Sequence, residues 1–275
     1  MLRAGPLSDE RVVRLANRRF VPFYFDLNNQ GYVSDKDARS FVTKVRKELA
    51  GGGVPTPPVL FMTPAGEVVG EADNYAGAGK VLAKMKSVLE KNPDYAKPAD
   101  GEAKDDPDVA FDLDRLDDAR RLYEAKGDWY GVGKVARRQK DWEAMEKALA
   151  QVKDEKLADD VAMERAHRHW EERDFEKLRD ACAKIEEASN RTTEARYYLG
   201  LAHYHLKDSA KALETWKAMI AKCSQDPFVY RADWAYCDVR DGGKNQYSSD
   251  AKGSSCLGRI GYMGARNPDL RKRKE

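Results

Sequence analysis

Cysteine and histidine are the side chains of this 275-residue sequence best suited to act on a bond or hold a metal, and there are four of each. Cys182, Cys223, Cys237 and Cys256 include no C-x-x-C pair, so neither a dithiol redox centre nor a zinc knuckle is written by their spacing. Cys182 falls on an inward helical position and reads as core filling. Cys237 and Cys256 bracket 18 residues rich in Gly and Ser. A disulfide between them would tether the tail, contributing about 3 kcal/mol in an oxidising compartment. The histidines come as His167-x-His169 and His203-x-His205. Residues two apart on a helix point about 200° apart, so neither pair chelates an ion by itself. No catalytic residue, metal or cofactor is assigned on these grounds.

Charged residues make up 35% of the chain and hydrophobic residues 41%, the balance of exposed helices with wide solvated faces. Lys and Arg number 49 against 47 Asp and Glu, a net charge of +2, which argues against a nucleic-acid binder that works through bulk charge. No apolar run reaches the roughly 18 residues of a membrane-spanning helix. The first six residues carry no apolar signal-peptide core. Compartment and oligomeric state stay open.

The elements that would position these side chains are most regular in the second half. Lys140-Asp141-Trp142, Arg173-Asp174-Phe175 and Lys207-Asp208-Ser209 are three copies of one turn, 33 and 34 residues apart. Two helices per unit at that period resemble tetratricopeptide repeats. Leu199, Gly200, Ala202, Ala212, Trp216 and Met219 fall on the consensus positions of the last unit, and Trp129 and Gly133 match the first, where the middle unit has Ala166. The predicted inward pairs are Met145 with Leu149, Leu178 with Cys182, and Ala212 with Trp216. Residues 227–234 look like a terminal helix. The resemblance implies a peptide groove lined by first helices, with Tyr130, Lys134, Arg137 and Arg138 from the first unit. The second unit would supply His167 and Trp170, and the third Tyr197, Leu201, Tyr204 and His205. Basic residues among aromatics suit a protein client that offers an extended acidic segment or its own C-terminus. The alternative is an ordinary solvated face.

The first half mixes periods. Residues 20–27 and 58–63 read as buried strands, 35–49 as a helix capped by Asp35, Pro64 to Glu67 as a tight turn into a third strand, and 78–90 as a closing helix. This order, with the Val54-Pro55-Thr56-Pro57-Pro58-Val59-Leu60-Phe61 text, resembles the thioredoxin fold over residues 7–92. The resemblance implies that Pro57 is the family's cis-proline and that Thr56 and Pro57 face substrate backbone; an ordinary trans loop proline is the alternative. It also places C-x-x-C upstream of Met1, together with the central strand. Either the natural chain starts further upstream, or the two flanking strands pair directly.

The expected class is therefore α/β plus all-α, a thioredoxin-like three-layer domain lacking its first strand joined to a helical-repeat array. Its parts are residues 1–92, an acidic linker 93–111, repeats 112–241 and a Gly/Ser-rich basic tail 242–275. The expected role is protein–protein interaction in quality control or redox handling. A thiol–disulfide oxidoreductase whose C-x-x-C lies upstream, and a structural scaffold, are the rivals.

Overall fold

The computed structural model describes residues 9–21, 59–72, 77–94, 97, 105–222, 226–240, 242 and 267–270. Within them the chain is mostly helical, with eleven α-helices and one two-stranded sheet.

Helix α1 (Glu10–Arg19) starts where the Asp9 carboxylate accepts the Arg11 N–H at 3.0 Å. It buries Val12 and Leu15. Strands β1 (Val59–Met62) and β2 (Val68–Ala72) form an antiparallel hairpin. Phe61 faces Gly70 and Met62 faces Val68, so Val69 bulges. Thr63 closes the loop by donating its N–H to the Glu67 carbonyl at 2.8 Å, and Gly66 takes the positive φ of 84° that this turn requires. Helix α2 (Ala78–Lys91) lays Val81, Leu82, Met85 and Val88 against Phe61, Val12 and Leu15, completing a small core. The hairpin and closing helix match the sequence expectation. Phe20 and Val21 are not in a strand, although the Phe20 ring packs 5.6 Å from that of Phe61. The rest of the expected strand 20–27, the helix 35–49, Thr56 and Pro57 lie outside the described residues.

The stretch read as an acidic linker ends in structure. Asp106 caps helix α3 (Pro107–Asp112), Pro107 fills the first turn, and Phe111 is fully buried. Helix α4 (Leu116–Lys126) packs with α3. Three hairpins follow: α5 (Trp129–Gln139) with α6 (Trp142–Leu149), α7 (Ala158–Glu172) with α8 (Phe175–Ala183), and α9 (Thr192–His205) with α10 (Ser209–Ala221). Helix α11 (Pro227–Arg240) covers α10 and α9.

The three Asp-led turns share one geometry. Lys140, Arg173 and Lys207 adopt left-handed φ of 61°, 61° and 71°. The following Asp141, Asp174 and Asp208 each donate an N–H to the carbonyl five residues back, at 2.9 Å, and cap the next helix through their side chains. One residue pair thus stops one helix and starts the next. A side chain at left-handed φ costs about 1–2 kcal/mol relative to glycine. Lys207→Gly is accordingly expected to raise stability by about 1 kcal/mol in urea unfolding; a lower midpoint would contradict the geometry.

Met145, Leu149, Leu178, Cys182, Ala212 and Trp216 all point inward and are at most 2% exposed. The small residues opposite them are required. A Cβ on Gly133 would come within 2.5 Å of Leu149 Cδ2, and one on Gly200 within 2.2 Å of Trp216 Nε1.

Candidate functional site

The first helices of the hairpins, α5, α7 and α9, lie side by side and carry all ten residues expected to line a groove. Carboxylates couple them. Arg137 on α5 bonds Glu164 on α7, and His167 on α7 donates Nε2–H to Glu194 Oε1 on α9 at 2.8 Å. Arg191 joins Asp160 at 2.6 Å, Glu194 at 3.1 Å and the Tyr130 hydroxyl oxygen at 3.3 Å.

The cationic end of this face is already filled by the chain itself. Helix α1 turns its apolar side to β1 and α2 and its charged side to the array. Glu10 accepts from Arg137 at 2.9 Å and lies 3.8 Å from Arg138. Arg14 and Arg18 pair with Asp112 at 2.9 and 2.7 Å. Arg138 also donates to the Phe111 carbonyl at 3.1 Å and stacks 4.0 Å above that ring. Lys134 sits among the rings of Phe111, Tyr123 and Tyr130 at 5.1–5.4 Å.

Burial alone would raise the Glu10 carboxyl; Arg137, Arg138 and Arg14 override it and hold Glu10 well below the usual carboxylate range. The same contest at Glu194, burial against His167 and Arg191, also ends low. Both carboxylates are therefore charged at neutral pH, and the stability they contribute is lost as pH falls below the ordinary carboxylate range.

The middle of the face is aromatic. Trp170 lies 5.7 Å from both Tyr198 and His205, and His205 stacks on Phe175 at 4.4 Å with the rings 9° apart. Tyr204 meets His205 edge-on at 5.3 Å.

The third-unit end is covered. Tyr197 and Leu201 are fully buried, with Leu270 of the Gly/Ser-rich basic tail packed in the same cluster. Tyr197 donates its hydroxyl to Asp269 Oδ2 at 2.5 Å, and His205 Nε2 donates to the Asp269 carbonyl at 2.9 Å.

Reasoning from the sequence missed the anionic half of this site: Glu10, Asp160, Glu164, Glu194 and Asp269, with Arg191. One signal was present. Arg137 to Glu164 and His167 to Glu194 are both 27 residues apart.

Cys182 is enclosed, and burial pushes its thiol up to about 12. It is a packed thiol, not a nucleophile. Iodoacetamide at pH 8 should leave Cys182 unmodified in the native protein and modify it fully in urea, read by peptide mass spectrometry. Rapid native modification would contradict the packing. Cys237 Sγ contacts Asp233 Oδ1 at 3.9 Å; Cys223 and Cys256 lie outside the described residues, and with Cys256 the expected pairing.

Among the described residues no three His, Cys, Asp or Glu side chains could together hold a metal ion, and no helix is long and apolar enough to cross a membrane. Comparison with protein-family models, with curated proteins and with solved structures found no match.

Proposed function

We propose that this chain is a protein-interaction protein, a thioredoxin-like half joined to tetratricopeptide-type repeats, whose first-helix face binds acidic segments of client proteins. One observation carries the reading. The cations and hydroxyls of that face hold carboxylates from outside the three hairpins: Glu10 on Arg137 and Arg138, and Asp269 on Tyr197. A surface that accepts carboxylates from two distant segments has the donors an acidic client needs. A setting in quality control or redox handling follows from the resemblance of the first half alone. Dithiol exchange by the sequence as written has no C-x-x-C to run on.

The test removes the internal occupants. A fluorescein-labelled polyglutamate peptide should bind the Glu10→Ala/Asp269→Ala variant at least tenfold more tightly than the unsubstituted protein, with the gain lost at 0.5 M salt. Equal, weak binding by both would make the face a structural seam and favour the scaffold reading.

A further inference from the structure

Residues 267–270, Asn-Pro-Asp-Leu, are held by contacts of the kind a bound peptide makes. The Asn267 N–H donates to Oδ2 of Asp238, an acid on α11 that is 1% exposed, at 2.8 Å. Asn267 Oδ1 accepts the Asp269 N–H at 2.9 Å, folding the segment into the turn Pro268–Leu270 with proline at its first position. The Asp269 side chain and carbonyl are taken by Tyr197 and His205 as above. Leu270 is buried with Tyr197, Leu201, Ala232 and Ala235. Tyr197, Leu201 and His205 stand at i, i+4 and i+8, one stripe of α9. Asn267 thus shapes the turn and offers its N–H, Asp269 supplies the carboxylate, and Leu270 fills the apolar seat.

We infer that residues 267–270 are a ligand bound in cis, and that the α9–α11 site recognises Asn-Pro-Asp-Leu-type turns, which a client protein must present to displace the tail. This rests on the peptide-binding reading above and names its ligand and its regulation. The buried Asp238 Oδ2 accepts the Asn267 backbone N–H, a contact that depends on the shape of the segment rather than on its charge. Specificity thus comes from the turn, not from charge alone.

The experiment uses the full-length protein with Asp269→Ala/Leu270→Ala, which disables the tail and leaves the site intact. Its probes are a labelled peptide spanning residues 264–271 and a scrambled peptide of the same composition. The peptide should bind this variant at least tenfold more tightly than it binds the unsubstituted protein, and tenfold more tightly than the scrambled peptide. Adding Asp238→Ala should abolish that preference. In the unsubstituted protein, saturating peptide should speed amide exchange at Asn267 as the tail is displaced; this holds whether or not the variant folds well. Equal binding of peptide and scramble overturns the inference and leaves the acidic-segment reading standing. So does failure of both peptides where polyglutamate still binds the Glu10→Ala/Asp269→Ala variant. Failure of all three probes overturns both, as does unchanged exchange at Asn267 with no polyglutamate binding.

Discussion

Trp216→Ala is expected to cost about 3–5 kcal/mol in equilibrium unfolding, among the largest effects of any single core truncation in the protein. The indole is fully buried between α9 and α11, in a cluster with Tyr197, Leu201, Ala212 and Met219. Its Nε1–H donates to the Tyr197 carbonyl at 3.3 Å, so truncation leaves a cavity and an acceptor short of its donor. Gly200 sits directly against the ring, and no side chain there can swing in to fill the space. Leu270 belongs to the same cluster, so the tail should release with the indole. Urea unfolding followed by circular dichroism measures the loss; a change below about 1 kcal/mol would show that this layer is not packed as described.

Arg137→Met is expected to be comparably destabilising, by about 3–5 kcal/mol, for an electrostatic reason. Among the described residues Glu164 is one of three buried acids, and Arg137 is its principal partner; the Tyr130 hydroxyl also donates to it, at 3.5 Å. Without the guanidinium a carboxylate stays in a dry site with almost nothing to answer it. The same change deprives Glu10 of its 2.9 Å partner on the array, leaving it Arg14 on its own helix and Arg138 at 3.8 Å, and should loosen α1 from the array. Pairing Arg137→Met with Glu164→Leu removes the stranded charge, and most of the lost stability should return. A single variant as stable as the double one would refute the coupling of α5 to α7 through this pair.

The array was legible because its signals are local. An aspartate that caps a helix, preceded by a residue that ends one, works through atoms within five residues, so Asp141, Asp174 and Asp208 announced themselves. The inward positions of Met145, Leu178 and Trp216 followed from helical periodicity. Helix α3 escapes the pattern for a physical reason: the acids before it have the composition of a linker, yet Asp106-Pro107 is a helix start. The site was legible by halves. Its cations and aromatics sit on the repeat pattern, whereas Glu10 meets Arg137 across 127 residues and Asp269 meets Tyr197 across 72. Which acid reaches which base depends on where α1 and the tail dock, and no local periodicity carries that. The Gly/Ser-rich tail likewise hid a four-residue anchor inside a composition that reads as loose.

The central claim is that the inner face of the array is occupied by the protein's own acidic groups, and carboxyl footprinting tests it most directly. Carbodiimide-driven coupling of glycine ethyl ester to the native protein, read residue by residue by mass spectrometry, compares every acid in one experiment. Glu143 and Glu187, with side chains 79% and 62% exposed, should label fast. Glu164 and Glu194, at 5% and 12%, should stay nearly unlabelled. Glu10, 37% exposed but held by Arg137 and Arg14, and Asp269, held by Tyr197, should label more slowly than Glu143 until urea releases them. Labelling of Glu10 and Asp269 at the rate of Glu143 in the native protein would contradict the account.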